Sequence, residues 1–126
     1  MPLALPTGLM VSVSGFRGGV GESLTPELIA GLAAAFGTFV RGAGHGDSVC
    51  LGRDSRTSGP MLARAAAAGL QSVGCNVIDL GMVATPTLLM AVRHHKAAGG
   101  IGVTASHNPA EWNALKLAGH EGLFLD

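Results

Sequence analysis

Between residues 9 and 104, short apolar runs alternate with longer stretches of helical period, and few folds accept that order. Residues 9–13, 48–52, 76–80 and 99–103 are brief and rich in Val, Ile and Leu, the pattern of buried strands. Helix starts stand between them. Thr25-Pro26-Glu27 offers a hydroxyl N-cap, a proline at the first helical position and an acid in the first turn. Leu28, Leu32, Ala35 and Phe39 follow at helical spacing, widened by Ile29, Phe36 and Val40, and Gly42 stops the run. Ser58 caps a second helix reaching about Val73, with Leu62, Ala66, Gly69, Leu70 and Val73 on its inner face and Gly74 closing it. Thr85-Pro86 repeats the start, and Leu88, Leu89 and Val92 lead to a last turn of Arg93, His94, His95 and Lys96. The order predicts a three-layer αβα domain with a mixed, mostly parallel sheet. A terminal hairpin follows, from residues 114–118 through a turn at 119–122 to 123–125, and Gly15 through Gly21 reads as a glycine-rich turn carrying Arg17.

With 126 residues the chain is one domain's worth. Charged residues make up 13% and the formal net charge is zero, which argues against a nucleic-acid or anionic-membrane surface while leaving room for a local anion pocket. No apolar run is long enough to span a membrane and the amino terminus lacks the marks of a signal peptide, so a cytoplasmic protein is expected. Cys50 and Cys75 lack metal-ligand spacing and read as buried small apolar residues. The glycine-rich stretch at 42–47 follows a helix and precedes a strand, the wrong order for a nucleotide fingerprint.

The strand at 99–103 runs into Thr104-Ala105-Ser106-His107-Asn108-Pro109. In open α/β sheets, ligands bind at that carboxyl edge. Pro109 biases Asn108 toward extended backbone, so the segment either holds a fixed loop projecting the Ser106 hydroxyl or is an ordinary turn of small polar residues. Arg17 suits a phosphate contact or a solvated position on a tight turn. Arg53 beside Asp54 suits a ligand contact or an ion pair bracing loops.

Three motifs in one order add to this. Thr104-Ala105-Ser106-His107-Asn108-Pro109 resembles the phosphoserine loop of the α-D-phosphohexomutases, the family of phosphoglucomutase, phosphomannomutase and phosphoglucosamine mutase. Ser14-Gly15-Phe16-Arg17-Gly18 is similar to its Gly-Ile-Arg-Gly signature, and Gly52-Arg53-Asp54-Ser55-Arg56-Thr57-Ser58-Gly59 to its Gly-Arg-Asp-x-Arg-x-Ser-Gly segment. The likeness runs from about Val11 to the last residue, and the context around Arg17 leans toward the phosphoglucosamine mutases.

The resemblance implies a phosphosugar mutase that interconverts hexose 1-phosphate and hexose 6-phosphate through a phosphoserine and a bisphosphorylated sugar. Ser106 would carry the phosphoryl group, with Arg17, Lys116 and His107 in catalytic roles and Thr104, Asn108 and Arg53 contacting substrate or phosphate. Lys116 matches the lysine of the family's Asn-Gly-x-Lys segment, here Asn113-Ala114-Leu115-Lys116 with alanine in place of glycine. Mg²⁺ would contact the Ser106 phosphate, and hexose 1,6-bisphosphate would act as activator. The Asp-Gly-Asp-x-Asp metal loop, the sugar-recognition segment and the carboxyl-terminal phosphate-binding segment are absent from these 126 residues. Residues 1–126 therefore read as an incomplete first domain whose partners are the phosphosugar and the family's downstream domains, inactive alone. A stand-alone phosphate-binding or interaction module, or a serine hydrolase using Ser106 and His107, are the alternatives.

Overall fold

A computed structural model describes residues 10–12, 15–104 and 112–125. Its elements run β1 (Met10–Ser12), β2 (Gly15–Gly19), α1 (Pro26–Gly42), β3 (Ser48–Arg53), α2 (Gly59–Ser72), β4 (Asn76–Met82), α3 (Thr85–His94), β5 (Gly99–Val103) and β6 (Trp112–Gly119). The strands form one sheet in the order β1-β2-β6-β5-β3-β4. Strand β3 pairs in parallel with β4 and β5, while β5–β6, β6–β2 and β2–β1 are antiparallel.

Helix α1 starts as its sequence dictates: the Thr25 hydroxyl accepts from the Leu28 amide at 3.2 Å, with proline next and Glu27 in the first turn. Its buried stripe is Leu28, Ile29, Leu32, Ala33, Phe36 and Val40. Ala35 and Phe39, expected inside, lie at the margin of that stripe, and Phe39 is 62% exposed. Together with α2, α1 covers one face of the sheet, where Val49, Leu51, Ile101, Val103, Leu115 and Leu117 meet both helices. Each large aliphatic side chain buried there contributes about 1.5–3 kcal/mol, so this face supplies most of the cohesion.

Helix α3 covers the other face with a smaller cluster of Leu88, Val92, Cys50 and Ala97. It sits close because β5 is largely glycine: a Cβ on Gly100 would stand 2.7 Å from the Val92 side chain. Both cysteines are buried and unpaired with each other, as expected. Burial pushes both thiols above their ordinary range; at Cys75 the nearby Asp47 adds to the rise and Arg41 opposes it.

Three expectations are corrected. Gly15 through Gly19 is a strand, and the turn comes later, where the Leu24 amide donates to the Gly19 carbonyl and the Gly21 amide to the Leu24 carbonyl. Its entry between β1 and β6 makes the sheet antiparallel on one whole side, beyond the terminal hairpin alone; that hairpin is present as a short return bridging Ala118 to Phe124. Ser58 precedes α2 without a side-chain capping bond, its backbone being already helical at φ −77° and ψ −11° and not extended as a cap requires, and its hydroxyl accepts from another partner described below; α3 begins at Thr85 itself, with Ala84 in the capping position.

Candidate active site

Parallel pairing aligns the carboxyl ends of β3 and β5 at one edge of the sheet. There the Asp54 amide donates to the Val103 carbonyl at 3.0 Å and the Thr104 amide to the Ala114 carbonyl at 3.0 Å. Strand β6 returns beside β5 with Lys116 opposite Gly102, and β2 lies beyond it with Gly15 opposite Lys116 and Arg17 opposite Ala114. Opposed residues in a sheet share a face, and so do residues two apart. Arg17 and Lys116 therefore occupy one face of neighbouring strands as diagonal neighbours, about 7–8 Å apart at the backbone by ordinary sheet spacing.

Leu115 and Leu117 point into the α1/α2 core, so Arg17 and Lys116 lie on the opposite face, the one α3 covers further along. Arg17 is exposed and Lys116 half-buried. The Lys116 ammonium stands 5.7 Å from the ring centroid of Phe124, within cation–π range. Thr104 shares this face: its methyl lies 3.8 Å from where a Gly102 Cβ would stand, and it lines a small crevice with Gly52, Arg53, Val83, Thr85, Leu88 and Gly102.

Gly15 makes the juxtaposition possible. A Cβ there would overlap the Leu115 carbonyl, so only glycine lets β2 approach the strand carrying Lys116. The glycine-rich signature thus serves strand packing and brings Arg17 within reach of the lysine.

Arg53 stands at the same edge, on the Thr104 crevice and on a second cleft beside α2. Its Cδ lies 3.4 Å from where a Gly59 Cβ would stand, its guanidinium donates to the Asp54 carbonyl at 3.3 Å, and it lines a cleft of about 190 Å³ with Pro60, Arg64 and Asp79 at the flank of α2. The ion pair of this loop joins Asp54 to Arg56, not to Arg53: Arg56 Nε lies 3.5 Å from Asp54 Oδ2, and the Arg56 amide donates to Asp54 Oδ1 at 3.1 Å. Arg56 also donates to the Trp112 carbonyl at 3.3 Å.

Two positioning groups escaped sequence reasoning. Arg56 is one. The other is Asn113, which is completely buried; its Nδ2 donates to Ser58 Oγ at 2.8 Å and its Oδ1 accepts from the Ala114 amide at 2.8 Å. A polar amide within an otherwise apolar strand was the available signal, because such a group must find partners. Together these contacts tie the start of β6 to the β3–α2 loop and to the head of α2. Ser106, His107 and Asn108 lie outside the described residues.

Among the described residues no group of three or more His, Cys, Asp or Glu side chains converges, and Asp54 is engaged by Arg56. The described residues do not by themselves offer the set of carboxylate oxygens that Mg²⁺ takes from a protein.

A family profile described as phosphoglucomutase/phosphomannomutase, alpha/beta/alpha domain I, matches residues 9–126. The chain is 43% identical over 119 residues to a phosphoglucomutase/phosphomannomutase of Thermococcus kodakarensis, covering 94% of this chain and 26% of that protein. It is 42% identical over 116 residues to a phosphoglucosamine/phosphogalactosamine mutase of Sulfurisphaera tokodaii, covering 92% and 25%. A solved structure of a phosphoglucomutase/phosphomannomutase family protein from Burkholderia thailandensis superposes with a TM-score of 0.80 at 34% identity, over 91% of this chain and 28% of that one. The chain spans about a quarter of the length of the curated relatives it matches.

Proposed function

The chain belongs to the phosphoglucomutase/phosphomannomutase family, and on that premise we propose that it is the serine-bearing domain of a phosphohexomutase. In this reading Ser106 carries a phosphoryl group that passes to a hexose phosphate and is recovered from the bisphosphorylated sugar. The observation that carries it is the shared face of Arg17 and Lys116, beside the strand end from which Thr104 leads into the serine segment.

Transfer forms a bond between a sugar hydroxyl oxygen and phosphorus and breaks the bond from phosphorus to Ser106 Oγ. Negative charge spreads over the phosphoryl oxygens as this happens, and fixed cations stabilise it. Arg17 supplies a planar fork of donors and Lys116 a point charge from the next strand. Lys116, with a conjugate amine able to exchange a proton, also serves the oxygen that gains or loses one; His107 and Asn108 shape the loop and touch substrate, and Thr104 lines its approach. Arg53, at the flank of α2, reaches the substrate's charged end from the other side of the edge. Mg²⁺ belongs to this reading as a partner of the serine phosphate, with its carboxylate ligands supplied by segments outside this chain, and hexose 1,6-bisphosphate as the activator that primes the serine. Glucosamine, glucose and mannose phosphates all fit, since the sugar is chosen by segments outside these 126 residues. The enzyme of this reading is cytoplasmic; no helix among the described residues is long and apolar enough to cross a membrane.

Intact mass spectrometry of the protein expressed from its full reading frame tests the proposal. After incubation with glucose 1,6-bisphosphate the mass rises by one phosphate, mapped to Ser106 and lost in Ser106→Ala. An unmodified Ser106 that instead reacts with a fluorophosphonate would point to hydrolase chemistry and overturn it.

A further inference from the structure

At the opposite edge of the sheet, where the parallel strands begin, three connections meet around a cleft of about 360 Å³ lined by His45, Arg93, Lys96, Ala97 and His120. His45 comes from the loop between α1 and β3, Arg93 and Lys96 from the end of α3, and His120 from the turn after β6. The two imidazoles stack face to face, with centroids 3.5 Å apart and planes 12° from parallel. No carboxylate is among the described residues that line the cleft. Arg93 and Lys96 bring two positive charges to the cleft with no carboxylate beside them, which favours an anion there.

Basic residues at a helix end often only complement its dipole. That accounts for Arg93; it accounts neither for histidines arriving from two other segments nor for the backbone of Lys96. Among the described residues Lys96 is the one non-glycine with a positive φ, at 51°. It closes α3 with a paired motif: the Ala97 amide donates to the Val92 carbonyl at 2.9 Å and the Lys96 amide to the Arg93 carbonyl at 3.2 Å. Helix α2 closes with the same pair of bonds, from Cys75 to Leu70 and from Gly74 to Gln71, and there the left-handed position is held by glycine. Lysine adopts this conformation at a cost that glycine avoids, and its presence puts an ammonium on the cleft.

We propose that this cleft binds a phosphate-type oxyanion, either free phosphate or the terminal phosphate of a small phosphorylated metabolite. Arg93 provides a two-pronged donor, Lys96 a compact cation, and the imidazoles ring N–H donors, a set matched to several oxygens carrying nearly two charges. The site does not rest on the serine reading, since it lies at the far edge of the sheet and uses none of the same residues.

NMR of the 126-residue chain tests it, following the ring resonances of His45 and His120 during titration with inorganic phosphate, with glucose 6-phosphate, and with chloride at matched ionic strength. Both rings shift saturably with one affinity in phosphate or in the ester, and chloride has no such effect; equal affinities identify the free ion as ligand, and tighter binding of the ester identifies the metabolite. Arg93→Gln and Lys96→Gly each weaken binding about tenfold or more, as loss of a charge-assisted contact predicts. Lys96→Gly at the same time raises the melting midpoint, because glycine relaxes the backbone. Absence of saturation, saturation equally well by chloride, or affinities unchanged in both variants would overturn the proposal.

Discussion

Asn113 Nδ2 donates to Ser58 Oγ at 2.8 Å, joining the buried start of β6 to the residue that precedes α2. The two residues are 55 apart in sequence, and their contact helps to set where the strand bearing Lys116 lies relative to the β3–α2 loop. Asn113 is fully buried while Ser58 is half-buried, so the amide depends on this bond more than the hydroxyl does. Asn113→Ala removes the side-chain acceptor of the buried Ala114 amide and leaves the half-buried serine hydroxyl to water, so urea unfolding should show a loss of about 1–3 kcal/mol. Ser58→Ala should cost less, and the double variant should fall short of the sum by about 0.5 kcal/mol or more. Strict additivity would show that the two side chains do not act together.

Arg17 and Lys116 are argued to stabilise transferring charge, so their effects should appear in turnover far more than in folding. In the protein expressed from its full reading frame, Arg17→Gln and Lys116→Met should each lower kcat by about 10²–10³-fold. Thermal midpoints should move by only a few degrees, since Arg17 is exposed and Lys116 half-buried. Loss of fold with loss of activity in both variants would assign them a structural role instead.

Gly15 faces the Leu115 backbone with no room for a side chain. Gly15→Val should therefore destabilise the chain by about 1–3 kcal/mol, the usual cost of forcing atoms into a packed site. Hydrogen exchange should show the loss concentrated in β2 and its partner β6, with β3 and β4 protected as before.

The buried thiols make a pH prediction with a definite sign. Burial raises the thiol pKa of Cys50 and Cys75 above the ordinary 9.0, so the folded state holds these protons more tightly than the unfolded state. Their contribution is fully present below pH 9 and is lost as pH climbs through the raised folded values. Stability measured by urea unfolding should decline above about pH 9, less steeply in Cys50→Ala. At pH 8 iodoacetamide should label both residues slowly in the folded chain and rapidly in urea.

Much of the architecture could be read along the chain because it is encoded locally. The Thr25-Pro26 start of α1, the glycine closing α2 and the glycine-rich apolar run of β5 each act within a few residues of themselves. Errors fell where a neighbour from elsewhere changed the outcome. Gly15 through Gly19 looked like a turn because its glycines have permissive backbones, yet the same lack of side chains admits it between two other strands. Ser58 looked like a cap because it is a hydroxyl before a helix, yet its oxygen is bound by Asn113. Arg53 and Arg56 sit three apart in one motif; only the contact to Trp112 distinguishes the one that braces β6.

The alternation of helices with the parallel strands, the apolar stripes and the three motif segments were determined by the residues themselves, through steric preference and hydrophobic period over short distances. Tertiary structure alone decided that Arg17 and Lys116 share a face, and that His45 and His120 stack at the far edge. Periodicity assigns a side chain to one face of its own strand or helix, but which distant segment lies beside that face depends on strand pairing and register, a choice made by the packing of the whole sheet.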